Sequence, residues 1–498
     1  MAFAVAAAAV MRMTWVPVGD IAMMEMLARD VPDHLPLVGV YSRFGWSHPG
    51  PLQLWWLGGF LHVLGTSNAM MVGTLVLHLV AVLAAWWMAR QIARIAGWTV
   101  LIALLAVLAA VTAQMGHSPW NPYVSMVGAG TLVVAAWATG ERRPWAPVVL
   151  VAAASILVQA HVATVPFVAL VSLTGVCVAE HTGRRTGGHA MSRRSFMTAA
   201  SIGLLLWIGP LLDRFTSSRP NATLLQMGGD GAPVGVVHAL STLTRSFAIL
   251  PSWLTVDGPG RPMADGSFAV PVWLIVPVAG FILAVVRRDR PFVRASVVVA
   301  AAMVATVVSA SMIRGDYHNH LAVIDRPVAA IALGVGFASL ARHLSTFATV
   351  TPMLRRSASA AAAATACGLS LIVCVRQVVG ADVVDSDPAL IQLADQVGGH
   401  FDVGDMLVLR APGNPGNWDR LTPGLMLQLE MRGFDVRQLD AEPRTIGAHR
   451  VTRDADRGVN LAVIGEPDRD AYTTDGWRII ASSGRRTRIL VAMRSPGR

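Results

Sequence analysis

The sequence contains no lysine: all forty basic residues are arginine. It has three cysteines, Cys177, Cys367 and Cys374, each inside or at the edge of an apolar run, with no CxxC or Cys/His spacing. That excludes a disulfide framework and the usual zinc motifs and leaves buried small hydrophobes. Charge is scarce as well. Only 14% of residues are charged, against about 25% in a soluble globular chain. The net charge of +10 does not point to nucleic acid, because the arginines gather in short loops between apolar segments.

What fills the chain instead is long apolar runs. Mean hydropathy is +0.53. Runs of roughly 17–25 residues, each long enough to cross a bilayer core of about 30 Å, recur up to about residue 375. We count eleven: Ala2–Val18, Asn68–Met88, Trp98–Met115, Tyr123–Ala138, Trp145–Val158, Thr164–Val178, Phe196–Leu212, Val270–Val286, Val293–Ile313, Leu321–Ala341 and Ala358–Val375. The first is short, as if the start of the chain truncates it. Dense arginine pairs follow the even-numbered runs, among them Arg142/Arg143 and Arg287/Arg288. The positive-inside rule then puts the N-terminus in the cytoplasm and the C-terminus outside. Residues 1–376 are thus expected to form a polytopic helical membrane domain, with a first external loop at 19–67 and a long one at 213–268.

Beyond residue 376 the chain turns polar. Helical patterns at Pro388–Val397 and Pro423–Arg432 alternate with strand-like runs at Met406–Leu409, Phe434–Gln438, Asn460–Ile464, Arg478–Ser482 and Arg488–Ala492. This predicts a small extracytoplasmic α/β domain over 377–498. Its Gly/Pro-rich APGNPGNW, Ala411–Trp418, lacks nucleotide-binding spacing.

The first external loop is the richest in chemistry. Asp20 stands at the mouth of a segment with Met23, Met24, Met26 and Leu27 at helical spacing, and Glu25 and Arg29 lie four apart. This reads as a short amphipathic helix on the membrane face, with Asp20 either its N-cap or a functional carboxylate. YSRFGWSHPGPL follows, over Tyr41–Leu52. Its two prolines exclude a span, and its aromatics suit an interfacial loop that presents Arg43 and His48. A second surface helix carries Trp55, Trp56 and Phe60.

Other external groups have two readings each. His117 and Asn121 flank a turn that caps a helix. His161 is either a structural helix-end histidine or part of a site, and Asp213 is either a helix-end ion pair or a site residue. Arg219, Arg245 and Arg314 are external cations, and His318 lies in RGDYHNH with Asp316 and His320. Those three ligand types lack a fixed-spacing motif, so we assign no metal and no cofactor, leaving a divalent ion as the lesser reading. Asp325 and Arg326 either pair or line a cavity. Asn221-Ala222-Thr223 matches a glycosylation sequon by chance.

Taken together, GDIAMMEMLARDV…PLVGVYSRFGWSHPGPL, WNPY, LVQAHVATVP and GPLLDRFTSSRPNATLLQ resemble the GT-C superfamily of membrane glycosyltransferases. Within it, the chain is similar to bacterial glycosyltransferase family 39-like, or RgtA/B/C/D-like, proteins, over most of residues 15–345. The resemblance implies a bacterial plasma-membrane enzyme that uses a polyprenyl-phosphate sugar donor, with arabinose or mannose for the cell envelope as the expected sugar, membrane lipids around it and an extracytoplasmic glycan, lipid or protein acceptor. It gives Asp20 the role of catalytic base with inversion at the sugar. It leaves the donor phosphate to Arg43, His48, Arg219, Arg245, Arg314 and His318, with His161 and Asp213 at the site. One departure stands out: mannosyltransferases of this type carry two adjacent acids, whereas Asp20 is followed by Ile21. The competing readings are a lipid-linked glycan transporter and a non-catalytic scaffold. Neither an internal repeat nor mid-membrane charges favour the transporter.

Overall fold

The computed structural model describes residues 2–111, 113–187, 189, 191–226, 228–254, 266–344, 352–379, 385–410, 420–455, 458–465, 468–483 and 489–494. It divides into two compact units. The first comprises Met1–Val10, Leu37–Gln53 and Val72–Ala381, and the second Met11–Pro36, Leu54–Met71 and Asp382–Arg498.

The first unit is helical. Several of its helices open on a proline in the first turn, in Asn121–Gly140, Ala146–Ala160, Val165–Arg185 and Arg290–Ser311. Proline lacks the N–H that would be orphaned there and has φ preset for the helix. Small residues let these helices approach closely. A Cβ on Gly175 would sit 2.8 Å from the Ala136 carbonyl oxygen, and one on Gly336 would sit 2.9 Å from the Pro277 backbone. Buried alanine, valine and leucine fill the spaces between, around Trp137, Tyr123, Phe167 and Phe292.

Among the described residues, five helices are long and apolar enough to cross a membrane. They become six if the bent pair Arg193–Leu206 and Ile208–Thr216 is one span. Shorter apolar helices include Arg94–Ala110, Ala146–Ala160 and Val272–Val286. The chain is a multi-pass membrane protein; the expectation of eleven crossings is neither met nor overturned by these lengths.

The second unit is built on a six-stranded mixed sheet: β1 (Met406–Arg410), β2 (Asp435–Leu439), β3 (Val451–Thr452), β4 (Val459–Gly465), β5 (Arg478–Ser483) and β6 (Ile489–Arg494), in the order β3-β2-β1-β4-β6-β5. β1 pairs in parallel with β2 and β4, while β6 runs antiparallel to β4 and β5. The helix Leu421–Glu430 makes the crossover from β1 to β2. Ala411–Trp418 lies outside the described residues.

The N-terminal segment belongs to this unit's core: Val16, Val18, Ala22, Met23 and Met26 pack with Leu390, Leu407, Leu425 and Leu461. The helix Gly19–Arg29 is therefore not the amphipathic surface helix its spacing suggests. Ile21 through Ala28 are all buried. The charge at Glu25 is accommodated by Arg29, whose Nε donates to Glu25 Oε1 at 2.8 Å, and by the Ser67 hydroxyl, also at 2.8 Å. Burial still pushes the Glu25 carboxyl above its ordinary pKa.

Candidate functional site

The loop Leu37–Gln53 lies in the first unit and folds back on itself. Ser42 N–H donates to the Trp46 carbonyl at 2.7 Å, His48 N–H to Val40 at 2.8 Å, and Gly39 N–H to His48 at 2.9 Å. Gly45, at φ 84°, makes the reversal that a side chain would resist. Two anchors fix the loop from elsewhere in the chain. Trp46 Nε1 donates to the Gly228 carbonyl at 3.1 Å. Asn221 makes a reciprocal pair with Ser47: Ser47 N–H donates to its Oδ1 at 2.8 Å, and its Nδ2 donates to the Ser47 carbonyl at 2.7 Å. Asn221 is held in turn by Asp213, whose Oδ2 accepts the Asn221 N–H at 2.7 Å while Oδ1 accepts the Ser217 hydroxyl at 2.6 Å. Asp213 is buried and engaged on both oxygens, so in this geometry it supports the loop. The buried, doubly bonded Asn221 amide does not present itself for glycosylation.

The anchored loop places His48 against His161, with ring centroids 4.7 Å apart. His48 Nδ1 accepts the Val162 N–H at 3.2 Å, and His161 Nδ1 accepts the Ala163 N–H at 3.3 Å. Each Nδ1 is thus an acceptor, and each neutral ring carries its proton on Nε2. Burial holds His48 well below its ordinary pKa, with the neighbouring His161 adding to the effect. Burial likewise lowers His161 to about 4. His320 completes the cluster. Its ring lies 4.6 Å from Trp120 and 5.5 Å from His318. Its pKa is lowered to about 4 by burial, then by His318, His161 and Arg43.

A small cavity of about 20 Å³ is lined by His161, Thr242, Ser309, Tyr317, His320 and Asp325, room for about one water. Asp325 accepts the Ser246 hydroxyl at 2.7 Å. Arg326, also buried, reaches Met115 Sδ at 4.0 Å. Thr242 and Ser309 are lining groups that sequence reading did not single out. Ser309 is signalled only as a hydroxyl near the end of a largely apolar helix, and Thr242, among the other polar residues of GVVHALSTLTR, by nothing local.

The cations divide. Arg43 is exposed, lies 5.1 Å from the centroid of the Phe44 ring, and would meet a side chain at Gly315 at 3.1 Å. Arg314, next in sequence, is exposed and donates to the Gly231 carbonyl at 3.2 Å. Arg43, His48, His161, His318 and His320 are therefore brought together, with Arg314 adjoining. Arg245 is turned to Ser267, whose carbonyl its Nε reaches at 3.0 Å. Arg219 is exposed beyond the helix Ile208–Thr216.

Asp20 belongs to the second unit. It lies in the first turn of the helix Gly19–Arg29, where Val18, not Asp20, is the N-cap and no side chain caps the end. Its carboxylate is exposed and sits at the positive end of the helix dipole. The capping reading of Asp20 is thereby corrected.

No protein-family model matches the chain, and no curated protein does. Solved structures do. ArnT from Cupriavidus metallidurans bound to undecaprenyl phosphate matches with a TM-score of 0.61 at 14% identity, covering 99% of this chain and 96% of that one. The apo state of the same protein matches at 0.60 and 15%, covering 98% and 96%. The chain shares the fold of ArnT.

Proposed function

We propose that this protein transfers a sugar from a polyprenyl-phosphate donor to a glycan, lipid or protein acceptor at the extracytoplasmic face of a bacterial plasma membrane. On this reading the N-terminus is cytoplasmic and the α/β domain extracytoplasmic. The observation that carries the proposal is the near end-to-end fold match to a protein that holds undecaprenyl phosphate.

The chemistry asks for a base and for charge on the leaving group. An acceptor hydroxyl attacks the anomeric carbon on the face opposite the phosphate, and the bond from that carbon to the phosphate oxygen breaks. The configuration inverts, the hydroxyl proton passes to a carboxylate, and polyprenyl phosphate departs with the bonding pair. We assign the base to Asp20, an exposed carboxylate in the first turn of its helix. The guanidiniums of Arg43 and Arg314 suit the phosphate, since arginine binds phosphate oxygens two at a time. Neutral His48 and His161 add Nε2–H donors without adding charge. His318 and His320 extend the same polar lining. Asp213 acts through Asn221 to hold the loop that carries Arg43 and His48, and Arg219 and Arg245 are left as peripheral cations.

The test uses the purified full chain, a panel of polyprenyl-phosphate sugars, and mass spectrometry of donor and product. One donor is expected to be consumed, and Asp20→Asn is expected to slow turnover by about a hundredfold or more at normal expression. Unchanged products from Asp20→Asn would remove the base assignment. No turnover or binding anywhere in the panel would remove the donor class.

A further inference from the structure

The second unit holds a group of ligand-type side chains that sugar transfer does not use. Asp30 follows the helix Gly19–Arg29, His34 comes one turn later with its N–H on the Asp30 carbonyl at 2.7 Å, and His449 sits in the short turn Ala448–Arg450. One ligand atom from each lies within 4.8 Å of the other two. We propose that Asp30, His34 and His449 form a binding site for a divalent transition ion of the zinc type, clipping the end of the first-loop helix to the turn before β3.

The distances approach what such an ion needs. Ligand atoms about 2.1 Å from a tetrahedral ion lie about 3.4 Å from one another. His449 Nε2 and Asp30 Oδ1 are already 3.4 Å apart. His34 is exposed and stacks on His449 with centroids 4.1 Å apart and planes 13° apart, so rotation of its side chain closes the remaining edges. A fourth position is left to water or another ligand, as at an open zinc centre.

The surroundings also fit. Arg450 grips both Asp30 oxygens, Nη1 to Oδ2 at 2.9 Å and Nη2 to Oδ1 at 2.7 Å, and its Nε donates to Glu430 at 2.7 Å. Ligating carboxylates are themselves hydrogen-bonded in this manner, and each carboxylate oxygen keeps a further lone pair. Two carboxylates around one guanidinium leave one net negative charge for a cation to balance. Gly447, at φ 93°, keeps the space clear. A Cβ there would stand 2.9 Å from the His449 ring and 3.0 Å from Asp30 Oδ2.

The test is metal binding by the chelator-treated full chain without a polyhistidine tag, titrated with Zn²⁺ and with Co²⁺ as a spectroscopic probe. The expected result is one equivalent of zinc, a visible cobalt spectrum of four-coordinate type, and a raised thermal midpoint. His34→Ala, at an exposed position that should fold normally, and His449→Ala are each expected to weaken binding at least tenfold. Absence of binding by the parent chain, or binding by both variants as tight as the parent's, overturns the site. Turnover of the sugar donor is scored separately, so failure here leaves the transferase reading untouched and failure there leaves this one.

Discussion

At the scale of single residues, His161 and His320 set a pH window for the first unit. An unfolded histidine takes up its proton near pH 6.5, whereas these two do so only near 4, because burial disfavours the charged ring. Above about 6.5 both states are neutral and the stability is fully present. As pH falls toward 4 the unfolded chain binds protons first, and stability is lost. Thermal unfolding in detergent should therefore drop between pH 7.5 and 4.5, and the double variant His161→Gln, His320→Gln should drop less. An equal drop in both proteins would mean that other groups control it. Arg43 and His48 are legible as site candidates from their loop alone, because two prolines and three aromatics mark a rigid polar segment. Their supports are not. Ser47 pairs with Asn221 across 174 positions, and nothing local in either segment encodes that pairing. The same limit hides the partners of Asp213, whose two oxygens are engaged by Ser217 and Asn221.

At the scale of elements, close helix contacts decide the packing. Gly280 and Gly336 face each other on Ile275–Val286 and Asp325–Leu344, and a Cβ on either would meet the other helix's backbone at 2.9 Å. Backbone cannot yield as a side chain can, so Gly336→Val should cost about 1–3 kcal/mol and lower the midpoint of detergent unfolding. Gly368→Val, on a helix where nothing lies within 4 Å, is the control, and equal effects would defeat the argument. Which glycines are tight is invisible in sequence, since both sit in similar apolar runs. The strands were more legible: MLVLR and ILVAMR are continuous buried runs, and each predicted strand is present. β3 escapes because two residues carry no periodicity. The helix Gly19–Arg29 misleads because its Met spacing looks one-sided, while Ser67 and Arg29 let Glu25 be buried as well.

At the scale of the whole molecule, long apolar runs and scarce charge set the membrane class, and the fold persists at 14% identity to ArnT. Such a fold is specified by the pattern of apolar and polar segments more than by particular side chains, which is why the overall class could be read and the span boundaries could not. If the protein takes a polyprenyl-phosphate donor, the lipid phosphate alone should bind and stabilise it. A ligand at a hundred times its Kd adds about 2.7 kcal/mol to the folded state. Undecaprenyl phosphate in mixed micelles should therefore raise the midpoint of thermal unfolding. Undecaprenol, with the same chain and no phosphate, should not, since exposed Arg43 and Arg314 are assigned to the phosphate. The double variant Arg43→Ala, Arg314→Ala should lose most of the rise while unfolding at the parent's midpoint without lipid, because exposed guanidiniums contribute little to stability. A rise of the same size with undecaprenol, or in the double variant, would show that the lipid is held by its hydrocarbon alone and would move the phosphate site away from this loop.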